Sequence, residues 1–320
     1  MLPRMKRSLP ILALLLAAPA LAQDEPATPA SVIEAAPADD WIAIPPQDLL
    51  VMELAPDADG TARQVVIQLM PEPFSQPWVE NIRTLAAAHW WDGKSVYRVV
   101  DNWVAQWGGG DPELGMDPGP LPDGVVSPAA SYDIPDGFMA DIDANLDIMR
   151  EGRGLPADWP SSAYAASEDF YLGWPFASAD DGSSWPVHCY ASVGVARDLA
   201  PDTGTGSELY AVIGHAPRQL DRNIAVVGRV IDGIEQLSTL KRGTGDAGVY
   251  ETRGEDTPIV SVRLGDEPST PPAFEYLNTA SESFARYAQV SANRSDAFYQ
   301  VAAGGIDVCN LKVPIREVKE

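Results

Sequence analysis

The sequence predicts a mainly β, antiparallel protein carrying a long insertion and a helical tail. Two β-type runs, Leu49-Leu50-Val51-Met52 and Val65-Val66-Ile67-Gln68-Leu69, flank the turn-rich Pro56-Asp57-Ala58-Asp59-Gly60 and read as a hairpin. Further strand-like runs follow at 95–105, 191–196, 209–213, 224–230 and 259–264. Helical spacing of apolar residues is confined to a few short segments.

Taken in order, residues 1–22 read as a cleavable secretory signal. Arg4, Lys6 and Arg7 precede an apolar run at 9–18 and the small-residue site Ala20-Leu21-Ala22. The run is well short of the roughly 20 apolar residues that span a bilayer, so no stable membrane anchor is expected. Cleavage after Ala22 and a periplasmic or secreted location follow. Residues 23–40, rich in Ala, Pro, Asp and Glu without apolar periodicity, are expected to be a flexible leader.

After the hairpin, Val79, Ile82, Leu85 and Ala86 place one apolar stripe on a helix over about 76–89. Asp92-Gly93 turns the chain into the strands of 95–105, which end at Gly108-Gly109-Gly110. Residues 112–186 are rich in Pro, Gly, Asp and Trp and read as an insertion with partial structure, including a helix on which Phe138, Ile142, Leu146 and Met149 recur. Trp159, Trp174 and Trp185 are expected to pin the insertion to the main domain. A short helix is expected over 233–240. In the tail, 267–320, Leu277, Ala280, Phe284 and Tyr287 suggest a helix, and 306–315 a final strand.

The formal charge is −24, and loss of residues 1–22 takes it to −27. Such a carboxylate excess repels nucleic acid and anionic membranes; it suits either a solvated surface or basic clients. Cys189 and Cys309 are the only cysteines. In an oxidising compartment they form one disulfide or remain two buried thiols, and spacing alone does not decide. The scattered His89, His188 and His215 lack metal-ligand spacing, so no metal is expected. Gly204-Thr205-Gly206 precedes a strand rather than a helix and lacks the amino terminus of a phosphate loop.

The residues themselves resemble the cyclophilin family. The match is carried by Val96-Tyr97-Arg98-Val99-Val100-Asp101-Asn102-Trp103-Val104-Ala105-Gln106 followed by Gly109-Gly110-Asp111, by Gly194-Val195-Ala196-Arg197, by Gly206-Ser207-Glu208-Leu209-Tyr210, and by Leu220-Asp221 leading to Val227-Gly228-Arg229-Val230. Residues 64–85 also resemble its second strand and first helix. The resemblance implies an eight-stranded antiparallel β-barrel with two capping helices over 41–266, a peptide groove on the outside of the barrel, and peptidyl-prolyl cis/trans isomerase activity without a cofactor. The partners it implies are proline-containing peptides or unfolded exported proteins.

By the same resemblance, Arg98 is the catalytic donor and Gln106 binds substrate backbone. Trp103, Val104, Tyr210 and Leu220 line the proline slot, with Ala196, Arg197, Glu208 and Ile224 around it. Tyr210 for Phe and Val104 for Met are modest departures from the family pattern; Glu208 for Gln, Arg197 for Asn and Ile224 for His matter more, and Gln219 stands for the Trp of drug-sensitive members, so tight cyclosporin binding is not expected. Glu208 replaces a neutral peptide-binding amide with a carboxylate close to Arg98; if it diverts Arg98 into an ion pair, Glu208→Gln should raise turnover. The alternative function is a catalytically weak peptide-binding or chaperone module using the same groove.

Overall fold

The computed structural model describes residues 26–134, 162–268 and 272–318. The signal segment and the helix expected around Phe138 to Met149 lie outside them, as does Trp159. In chain order, α1 (Pro29–Glu34) and β1 (Trp41–Ile44) precede the hairpin β2 (Leu49–Leu54) and β3 (Arg63–Leu69). Then come α2 (Gln76–Ala87), β4 (Ser95–Val99) and β5 (Val104–Gly108), followed by β6 (Ser167–Tyr171), β7 (Trp174–Ser178) and β8 (Ser184–Pro186) within the insertion. The chain continues with β9 (Ser192–Val195), β10 (Leu209–Val212), β11 (Val226–Asp232), α3 (Glu235–Ser238) and β12 (Thr257–Leu264). The tail holds β13 (Phe274–Leu277), α4 (Glu282–Ala292) and β14 (Ile315–Glu317).

Eight strands close an antiparallel barrel in the order β10-β5-β4-β12-β2-β3-β11-β9. Leu50, Met52 and Leu54 on β2 and Val65, Ile67 and Leu69 on β3 point inward into the main core, as alternation requires. Their neighbours Leu49 and Val66 point outward, yet they too are buried, against Ile44, Phe274 and Tyr276 of a second sheet, β1-β13-β14. Burial on both faces is why these two strands read as near-continuous apolar runs.

α2 packs its apolar stripe on the barrel, and its polar face holds loops. Trp78 Nε1 donates to the carbonyls of Thr203 and Gly204, and Asn81 Nδ2 to those of Val126 and Thr205. The insertion contributes a third sheet, β6-β7-β8. Trp174 joins the barrel core, whereas Trp185 packs with the tail.

Three expectations for the ends of the chain change. The leader is not without structure: Thr28 caps α1, and Val32, Ile33 and Ala36 pack against the tail cluster around Phe284 and Tyr287. A segment that cannot bury surface alone does so on the tail. Leu277 belongs to β13 rather than to the tail helix, because Ser281 caps the helix and starts it at Glu282. Of the stretch 306–315, only Ile315 is in a strand. Cys189 and Cys309 are joined by a disulfide that ties the tail to the segment after β8.

Candidate active site

The outer face of β4, β5 and β10 carries the site. On β5, Ala105 and Trp107 enter the barrel core, so Val104 and Gln106 face outward; on β10, Leu209 and Ala211 point in and Tyr210 and Val212 point out. Val104 pairs with Val212 and Gln106 with Tyr210 across the two strands. The outward residues Val104, Tyr210 and Val212 are buried together, with Val100, Ala196, Leu220 and Ile224 packed against them. This apolar slot contains four of the residues expected to bind proline or its flanks, and Ile224 is one of its walls. Trp103 instead stands at the turn between β4 and β5, 38% exposed and outside the packed cluster.

A glycine makes room for the slot's aromatic wall. Gly194 on β9 pairs with Tyr210, and a Cβ there would overlap the end of the Tyr210 ring.

Arg98 reaches the groove through an irregularity in β4. Val96 pairs with Trp107 and Arg98 with Gln106, so Tyr97 is an extra residue in β4. Such a bulge re-aims side chains. Here it brings Tyr97 and Arg98 together beside Gln106. One guanidinium nitrogen of Arg98 donates to Gln106 Oε1 at 2.9 Å, and its Nε donates to the Ala247 carbonyl at 2.8 Å. The 243–250 segment that supplies this carbonyl is bonded along β4, with Tyr250 N donating to Tyr97 O and Gly243 N to Val99 O. Burial pulls the pKa of Arg98 below its ordinary value.

The hydrogen bonds continue in one direction. Gln106 Nε2 donates to the Tyr97 hydroxyl at 2.5 Å, and that hydroxyl donates to Glu208 Oε2 at 2.8 Å. Gly110 N donates to Glu208 Oε1 at 2.9 Å. Burial and the adjacent carboxylate push the Tyr97 hydroxyl pKa well up, so it remains a donor. Glu208 is itself raised above the usual glutamate range by burial, with the Tyr97 and backbone hydrogen bonds acting against that shift. Its carboxyl lies over Gly108, where any Cβ would collide with it.

An ion pair between Glu208 and Arg98 is therefore not formed. Glu208 is answered by Tyr97 and Gly110, and Arg98 by Gln106 and Ala247, with two side chains relaying between them. Arg197 also departs from a peptide-facing role: its Nε and one terminal nitrogen donate to Asn223 O at 3.1 and 2.9 Å, and the other to Asp198 O at 2.6 Å.

Behind the slot lies a polar network that sequence reading missed. His188 is fully buried; its Nδ1 is 2.9 Å from Asp221 Oδ1 and its Nε2 is 3.0 Å from the Tyr210 hydroxyl. A carboxylate only accepts, so Nδ1 carries the proton and Nε2 accepts from the tyrosine in the neutral ring. Asp221 Oδ2 accepts from Arg218 Nε at 2.7 Å, and Arg218 also pairs with Glu168 of β6 at 2.7 Å. The slot's aromatic wall is thus anchored to the insertion. Its one sequence signal is Tyr at a position where the family has Phe, a hydroxyl that must find a partner once buried.

Comparison with known proteins bears on the family and the fold. A family model described as cyclophilin type peptidyl-prolyl cis-trans isomerase/CLD matches residues 59–264. No curated protein matches the chain. Among solved structures, a cyclophilin from Hirschia baltica is similar at 19% identity and a TM-score of 0.59, with 91% of this chain and 98% of that chain covered. A cyclophilin type peptidyl-prolyl cis-trans isomerase from Cryptosporidium parvum covers 69% of this chain and 99% of its own at 13% identity, with a TM-score of 0.35. With the family matched over most of the chain and the eight-stranded barrel in place, the protein belongs to the cyclophilin-type peptidyl-prolyl cis-trans isomerase family.

Proposed function

We propose that the protein is an exported isomerase that accelerates rotation about X-Pro bonds in folding proteins, with Arg98 as the catalytic donor. Rotation is slow because amide resonance must be broken, a barrier of roughly 18 to 20 kcal/mol. No nucleophile or cofactor is required. The protein must hold the proline ring in an apolar slot and favour the twisted amide, whose nitrogen has gained lone-pair character, over either planar form. A guanidinium donates to that nitrogen, and Gln106 beside it presents a polar group to the flanking backbone.

The observation that carries this reading is the placement of Arg98. It is held by Gln106 and Ala247 on β4, next to β5, which bears Val104 and pairs in turn with β10, which bears the Tyr210 wall of the slot. Its freedom from Glu208 supports turnover over a catalytically weak, peptide-holding role. Export is supported by the basic, apolar and small-residue layout of residues 1–22 and by a disulfide suited to an oxidising compartment.

Protein recovered from the exported fraction provides the test. Intact mass should place Gln23 at its amino terminus, and the material should accelerate isomerisation across a panel of X-Pro peptides. A folded protein giving only the uncatalysed rate would leave the peptide-holding module as the function, and retention of residues 1–22 would remove the export reading alone.

A further inference from the structure

Where β11, the insertion sheet and the tail meet, they enclose a cavity of about 290 Å³ on the face of the barrel bearing Arg229. Phe170, Trp174, Ile234 and Val313 give it apolar walls, and the exposed Tyr190 and Lys312 also line it and mark its mouth. Its size lies near the lower end of ligand pockets, roughly 300 to 1,000 Å³.

Arg229 is the one charged side chain in its wall besides Lys312. Its Nε and one terminal nitrogen donate to Gln68 Oε1 at 2.9 and 2.7 Å, the other terminal nitrogen donates to Gly173 O at 2.7 Å, and the guanidinium stacks over the Trp174 ring at 4.3 Å. Every one of these partners is neutral, and no carboxylate pairs with Arg229 among the described residues. Desolvation accordingly pulls its pKa down to about 9. Arg218, the buried arginine among the described residues, is by contrast flanked by Glu168 and Asp221, each at 2.7 Å. The Trp174 ring beneath the guanidinium brings an unanswered donor, since its buried Nε1 has no partner among the described residues. Arg229 is half-buried, and a partly desolvated guanidinium with only neutral partners gains from an anion that comes to meet it.

We propose that this cavity binds a small amphipathic monocarboxylate, with its carboxylate on Arg229 and its apolar chain or ring against Phe170, Trp174, Ile234 and Val313. The site is separate from the proline groove: Arg229 lies on β11 and Arg98 on β4.

Calorimetric titration of the mature protein with decanoate, below its micelle concentration, tests this directly. Decanoate should bind saturably at one site, decanol at least tenfold more weakly, and shorter carboxylates progressively more weakly, by about fourfold for each CH2 removed. Arg229→Met should weaken decanoate at least tenfold. Because Arg229 also bridges Gln68 and Gly173, Val313→Trp, which fills the cavity without touching Arg229, serves as a second variant and should abolish binding. Arg98→Ala should bind decanoate as the wild type does. Absence of saturable binding, equal affinity for decanol, undiminished binding in folded Arg229→Met or Val313→Trp, or loss of binding in Arg98→Ala would overturn the proposal.

Discussion

A free arginine side chain carries about 2 kcal/mol of rotamer entropy that a catalytic contact must overcome. Arg98 gives up much of it before any peptide arrives, because Gln106 and Ala247 fix two edges of its guanidinium. Glu208 terminates the same chain of donors from a distance and pays no part of the charge balance of Arg98. Its own charge is disfavoured by burial, which has a consequence for stability. A carboxyl whose folded pKa lies above the unfolded value, ordinarily about 4.3, contributes stability below that value and loses it as pH rises through the folded pKa. Glu208→Gln should therefore gain in melting temperature relative to wild type as pH rises through the Glu208 titration, with a constant difference above it. Parallel thermal melts across this range check the point; a gap that stays flat or closes with rising pH would contradict the burial assigned to Glu208. Arg98, Gln106 and Tyr210 were legible in the sequence because a linear motif carries them. His188 was not, since its partners lie 22 and 33 residues away and a lone histidine has no spacing to interpret.

The elements show the same division between local and distant causes. β2, β3 and α2 were readable because their apolar periodicity lies within single segments. The bulge at Tyr97 was not, because it is a mismatch between two strands rather than a property of one. In the tail, Leu277, Ala280, Phe284 and Tyr287 have helical spacing, but the cap at Ser281 decides where the helix begins. α1 was illegible for a related reason: its apolar residues find their surface on α4 and its neighbours. At β9, Gly194 exists to admit the Tyr210 ring from β10, and overpacking of this kind costs about 1 to 3 kcal/mol. Gly194→Ala should keep the barrel folded but displace the slot's aromatic wall, raising KM for proline peptides roughly tenfold. Unchanged KM and kcat in that variant would show that the Tyr210 wall does not contact substrate.

At the scale of the molecule, the barrel is neither isolated nor merely decorated. The tail sheet covers Leu49 and Val66, the insertion anchors Tyr210 through Glu168, Arg218, Asp221 and His188, and the Cys189–Cys309 disulfide ties the tail to the segment just after the insertion. The composition and the family motif made the barrel legible, while the additions had no such pattern and only their packing explains them. What remains on the open side is the groove of Arg98 and its apolar slot, and the account stands on that groove being catalytic. The most direct measurement compares wild type and Arg98→Ala for X-Pro isomerisation by exchange NMR, with peptide affinity measured on the same samples. Loss of one donor to charge developing in the transition state usually lowers the rate by about 100- to 1000-fold, whereas the ground-state amide nitrogen is a poor acceptor and affinity should change only a few-fold. A folded Arg98→Ala protein that retains the wild-type rate, or one that loses affinity and rate in equal proportion, would contradict it.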